Sequence, residues 1–165
     1  MNFDNNFLIT ICYSKHFHQE LGVLENSDSQ SKDKPEYGIE DASYQAAGGE
    51  AGIRKLVDDF YDAMEQLPEA AKIRNMHPQN LTISRDKLTL FLCGWLGGPK
   101  LFAEKYGQIR IPQVHSHLEI GPSERDAWLL CMQKALNRQS YPAEFKNYLM
   151  EQLYVPAERS RNREQ

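Results

Sequence analysis

The stretch "AGGEAGIRKLVDDFYDAM", residues 47–64, decides the fold class. Ile53, Leu56, Val57, Phe60, Tyr61 and Met64 recur within it at the i, i+3, i+4, i+7, i+8, i+11 spacing. That spacing lines up one apolar face of a long amphipathic α-helix. A strand would need strict alternation, and no period-two run of β-branched residues occurs in the domain that follows. Pro68 ends this helix or starts the next.

Downstream, "PEAAKIRN" (68–75) predicts a short helix with proline in its first turn. A helix over 84–95 puts Leu88, Phe91, Leu92 and Trp95 on one face, and "GGP" (97–99) breaks it. "KLFAEKY" (100–106) makes one or two turns and stops at Gly107. Ser123 followed by Asp126 resembles a capping box, with Asp where Glu or Gln is usual. The helix it opens turns Trp128, Cys131, Met132, Ala135 and Leu136 inward. A last helix starts near Pro142 and buries Phe145, Tyr148, Leu149 and Leu153. Gly-Gly pairs at 48–49 and 97–98 sit beside helix ends, where glycine permits a sharp turn or a positive φ. The expected architecture is all-α, made of short helices with tight joints.

Upstream, "LENSDSQSKDKPE" (24–36) is polar and has no apolar period, as in a flexible linker. Residues 1–43 are accordingly expected to be an N-terminal extension, partly disordered, with the domain over 44–158 and a C-terminal tail over 159–165. The apolar run "FLITICY" (7–13) is far too short to span a bilayer and follows no basic segment, so a cytoplasmic location is expected. The chain has 165 residues, 41% of them hydrophobic, enough to bury a core. A net charge of −4 argues against a nucleic-acid surface. Cys12, Cys93 and Cys131 fit neither a disulfide framework nor a CxxC zinc pattern.

"IPQVHSHLEIGPSERDAW" (111–128) places two histidines in a bend. Three readings compete for them. His115 and His117 share a face if the segment is extended, His16 and His18 repeat the spacing, and four histidines suffice for tetrahedral zinc. A single histidine at the edge of an apolar slot instead suits the axial position of haem. Two solvated loop histidines are the plainest reading, and local spacing alone favours it.

Four stretches change that balance: residues 47–64, "LPEAAKIRNMHP" (67–78), "KLTLFLCGWLGGPKLF" (87–102) and "ERDAWLLCM" (124–132). Phe-Tyr, Trp-Leu-Gly-Gly-Pro and Glu-Arg-Asp-Ala-Trp occur here in an order and spacing that resemble the group II truncated haemoglobins. The resemblance covers roughly residues 44 to 158 with almost no gaps. It implies a 2-on-2 helical sandwich around haem b.

The resemblance also implies a set of site residues. An Ile-Gly pair follows the iron's histidine in that family, and Ile120-Gly121 puts that ligand at His115. His117 falls where the family usually has proline, which leaves open a competition for the iron. Opposite, Tyr61, His77 and Trp128 are implied as hydrogen-bonding groups for a diatomic ligand, with Ser84 and Leu88 on the same distal side. Lys87 and Arg110 are implied partners of the haem propionates, and Phe91 and Trp95 pack on the haem or serve as core. From pattern alone, Tyr61 and Trp128 are ordinary core aromatics, and Lys87 is a solvated helix charge.

The expected function is binding of O2, NO, CO or similar small ligands. Several distal donors imply slow dioxygen release, which suits nitric-oxide or peroxide detoxification better than delivery. Repeated turnover needs ferric iron re-reduced, and no G-x-G-x-x-G fingerprint is present, so a separate reductase is implied. The alternative is a non-enzymatic gas sensor that docks through residues 1–43.

Overall fold

The computed structural model describes residues 36–164. The apolar run 7–13, Cys12 and the His16/His18 pair lie outside the described residues. Among those described, eight α-helices and one 3-10 turn occur, with no strand. They are α1 (Ala42–Ala46), α2 (Gly49–Gln66), the 3-10 turn Pro68–Ala70, α3 (Ala71–Asn75), α4 (Thr82–Trp95), α5 (Leu101–Tyr106), α6 (Ile111–His115), α7 (Pro122–Asn137) and α8 (Ala143–Arg159). Helix α2 packs on α4 and α7, and α7 packs on α8. This is the expected all-α sandwich of two helices on two.

The apolar face of residues 47–64 becomes the centre of the core. Ile53, Leu56, Val57, Phe60, Tyr61 and Met64 are all buried. From α7, Cys131, Met132, Ala135 and Leu136 meet them, and Phe145, Leu149 and Leu153 of α8 close the far side. Burial of this surface outweighs the modest helix propensity of β-branched Ile53 and Val57. Tyr148 and Trp128, expected inside, are only partly buried at the edge of this core.

Both Gly-Gly joints have the backbone that only glycine adopts without strain. Gly48 and Gly49 have φ of +80° and +64° where α1 turns into α2. Gly97 has φ +95°, and a Cβ there would lie 1.8 Å from the Glu40 carbonyl oxygen. Side-chain-free backbone thus lets the end of α4 meet Glu40 and α1, where Tyr44 N–H donates to the Leu96 carbonyl at 3.1 Å.

Three local features differ from expectation. The cap of α7 is not Ser123 with Asp126. Gly121 is the N-cap, and the Glu124 carboxylate accepts its N–H at 2.7 Å. Pro122 occupies the first turn, so the helix begins two residues earlier. Residues 111–115, expected in a bend, form a helical turn. Packing also continues past both ends of 44–158. Tyr37 lies 4.7 Å from the Phe145 ring, and Asn162 N–H donates to the Ile120 carbonyl at 2.9 Å.

Candidate functional site

Tyr61 and Trp128 come to one wall because α2 and α7 pack face to face. Phe60 is fully buried between them, its ring centroid 5.0 Å from Tyr61 and 5.1 Å from Trp128. Tyr61 is 5% exposed, and burial pushes its phenol up to about 12 against the opposing pull of the Arg85 charge and the Ser84 hydroxyl. The phenol therefore stays protonated and available as a donor. Trp128 is half-buried, and its indole N–H has no hydrogen-bond partner among the described residues. Arg85 was not anticipated. Its guanidinium lies 5.5 Å from the Tyr61 ring centroid and is fixed by Asp58 and Asp62. Only tertiary packing of α4 on α2 brings these residues together, so no local sequence signal marks the contact.

His77 stands just beyond α3, its ring edge-on to Tyr61 at 5.6 Å. Its Nδ1 lies 2.8 Å from the Ile73 carbonyl oxygen. A carbonyl only accepts, so Nδ1 carries the proton and, in the neutral ring, Nε2 is an acceptor. Burial pulls the pKa of His77 down, opposed by the bond to Ile73 and helped by the charges of Arg74 and His115. A neutral His77 is thus an acceptor rather than the further donor that its residue type suggests.

Helix α4 supplies a second wall. Ser84, Leu88, Phe91 and Trp95 follow each other at helical spacing and are all half-buried, while Thr89, Leu92 and Cys93 on the other side of the helix are buried. The stripe expected as one core-facing row is therefore divided. Leu92 enters the core, and Leu88, Phe91 and Trp95 border it with part of their apolar surface uncovered.

His115 is the last residue of α6. Its Nδ1 lies 2.7 Å from the Ile111 carbonyl oxygen, one turn back. The same logic fixes the proton on Nδ1 and leaves the Nε2 lone pair unengaged, the arrangement a metal-binding imidazole requires. His117 is exposed. No group of three His, Cys, Asp or Glu suited to a metal occurs among the described residues. The four-histidine zinc arrangement needs His16 and His18, which lie outside them.

Lys87 and Arg110 are exposed, and neither forms an ion pair with any described residue. Lys87 sits 5.2 Å from the Tyr106 ring centroid, and Arg110 caps the start of α6. One imidazole with a free Nε2, a half-covered apolar stripe, distal N–H and O–H groups and unpaired cations suit one kind of ligand. It is a flat, mostly apolar metal macrocycle with anionic edges.

Comparison with known proteins gives the same answer. A family model described as bacterial-like globin matches residues 42–160. The group 2 truncated hemoglobin YjbI of Bacillus subtilis (strain 168) is 32% identical over 116 residues, 70% of this chain and 85% of that protein. The cold-adapted truncated hemoglobin of the Antarctic marine bacterium Pseudoalteromonas haloplanktis TAC125 superposes with a TM-score of 0.71 at 33% identity, covering 73% of this chain and 98% of its own. The group II 2-on-2 hemoglobin of Agrobacterium tumefaciens gives 0.70 at 38% identity, covering 74% and 95%. The chain belongs to the bacterial-like globins, haem b proteins that bind small gaseous ligands, and within them to the group II truncated haemoglobins.

Proposed function

We propose that the chain holds haem b through His115 Nε2 and retains dioxygen with slow release, as suits nitric-oxide or peroxide detoxification. The bond from His115 Nδ1–H to the Ile111 carbonyl carries this reading, because it leaves Nε2 as the one ring nitrogen with a lone pair to give. A bound haem iron coordinates diatomic ligands and cycles between ferrous and ferric states.

The chain's own residues set what happens around that chemistry. Ile111 orients the proximal imidazole and makes it a stronger base. Leu88, Phe91 and Trp95 cover the macrocycle and exclude water, which strengthens each polar contact in the pocket. Lys87 and Arg110 neutralise the propionates at the solvent edge. Trp128 can only donate, so its indole N–H is directed at negative charge on the ligand. Tyr61 has one proton to give the ligand, and the Ser84 hydroxyl shares hydrogen bonding with its oxygen. Ser84 thereby tempers the Tyr61 contribution and leaves a small side chain at the distal edge. Re-reduction requires a separate electron-donating partner.

Absorption spectra of the purified protein, ferric, ferrous and ferrous with carbon monoxide, test this reading. A Soret band that shifts on carbon monoxide, with a histidine-ligated ferrous spectrum, is expected. A chain that stays colourless after haemin is supplied overturns it.

A further inference from the structure

The last described residues fold back onto the segment that follows His115. The Asn162 carboxamide oxygen accepts the Ile120 N–H at 3.1 Å. Its amide nitrogen donates to the Leu118 carbonyl at 2.7 Å and to the carbonyl of His115 itself at 3.2 Å. The Asn162 and Arg163 backbone N–H groups both donate to the Ile120 carbonyl, at 2.9 and 3.1 Å. Only this orientation of the amide satisfies one donor and two acceptors at once. The base of this staple is tied to α7 and α8. Glu158 accepts from Arg161 at 2.6 Å and also pairs with Arg125, which is 14% exposed.

Helix α6 needs such support. It has five residues, none buried, and a helix that short does not hold itself in water. Its ring end is fixed by the Ile111 carbonyl. Its backbone end is fixed where the His115 carbonyl receives the Leu118 N–H at 3.0 Å and the Asn162 amide. Asn162 also lies two residues beyond the stretch matched by the family model, so this contact belongs to the chain's own C-terminal segment.

We propose that Asn162 is a positioning residue for His115. Its carboxamide holds the backbone from which the imidazole projects, and so sets the geometry and strength of the bond that His115 makes to iron. This rests on the haem reading above.

The test uses the full-length, haem-loaded ferrous protein without gas. It records the iron–histidine stretching band by resonance Raman, together with the rate of haem transfer to excess apomyoglobin. Residue 162 is not part of the hydrophobic core, so variants there are expected to fold. Asn162→Ala should move and broaden the band and speed haem transfer by about tenfold, as for lost outer partners of other metal ligands. Asn162→Asp keeps an acceptor for the Ile120 N–H but turns oxygen toward the His115 and Leu118 carbonyls. It should fail as badly as alanine. A wild-type band and transfer rate in either variant overturns the proposal, since anchoring Ile120 would then suffice or nothing would. His115→Ala separates the two levels. A band that persists in that variant removes the ligand assignment itself. A band lost there but unmoved in the Asn162 variants removes only the positioning role.

Discussion

The two walls of the proposed haem site are held in place by different forces. The distal wall is an outcrop of the hydrophobic core. Tyr61 and Trp128 ride on α2 and α7, with the fully buried Phe60 packed between them. The proximal wall is a five-residue helix with no buried residue, tied to the rest of the chain by hydrogen bonds at its C-terminal end. Close packing transmits strain and resists small displacements. A hydrogen-bonded turn can reorient at little cost when one bond is lost. On the assignment proposed above, the donors facing a ligand are rigid and the residue holding the iron is adjustable.

Substitutions that treat the walls unequally test that contrast. The largest effect is expected at the proximal histidine, because nothing in the core replaces it. His115→Ala should abolish stable haem incorporation, measured as Soret absorbance per chain after haemin is supplied, whereas His117→Ala should leave it unchanged. Retention of haem by the first, or loss by the second, would reassign the ligand.

On the distal side, Phe60→Ala removes a fully buried ring from the core. The expected loss is about 3–5 kcal/mol in urea unfolding, with faster dioxygen dissociation as Tyr61 and Trp128 lose their common support. Unfolding by that amount with an unchanged off-rate would mean that the donors are held by other contacts. Trp128→Phe keeps the packing and deletes the indole donor. It should speed dioxygen dissociation roughly tenfold, the worth of one hydrogen bond in a dry site. Tyr61→Phe should do less, because the Ser84 hydroxyl already shares hydrogen bonding with its oxygen.

The smallest expected effect concerns acid. The Lys72 ammonium, 2.7 Å away, together with the Gly121 N–H and Ser123 hydroxyl, pulls Glu124 from 4.5 down to about 2 against the cost of burial. A depressed folded-state pKa contributes stability above the unfolded value and loses it as pH falls toward the folded one. The stability advantage of wild type over Glu124→Gln should therefore be full at about pH 6 and shrink toward about pH 2. An advantage that stays constant over that window would show the Lys72 pair to be energetically idle. Since Glu124 caps the helix that carries Trp128, the same acid should loosen the distal wall first.

Much of the distal wall was legible in the sequence, because a long helix repeats its apolar face often enough to be recognised. Residues 47–64 fix α2, and the period of Cys131, Met132, Ala135 and Leu136 fixes the inner face of α7. The proximal wall was legible only through resemblance. Five residues carry no measurable period, so α6 looked like a bend. The cap of α7 was misplaced because a side-chain acceptor was sought, whereas Gly121 contributes only backbone there. The histidine tautomers depend on carbonyls four residues upstream, and backbone oxygens have no letter in the sequence. Asn162 lies 47 residues from His115, in a polar tail where an asparagine normally faces solvent. Half-burial of Leu88, Phe91 and Trp95 is equally invisible to periodicity, which cannot tell a core face from a face left for a cofactor.

The two buried thiols have a consequence for a protein that binds oxygen. Cys93 and Cys131 are fully enclosed, and burial pushes each up to about 11. Neither forms the thiolate that peroxide or nitrosating agents attack. The helical core thus keeps its sulfur chemically silent beside the haem. Alkylation, nitrosation or mixed-disulfide formation on the native protein should therefore spare Cys93 and Cys131, which gives mass spectrometry of modified cysteines a direct readout of whether the core has opened.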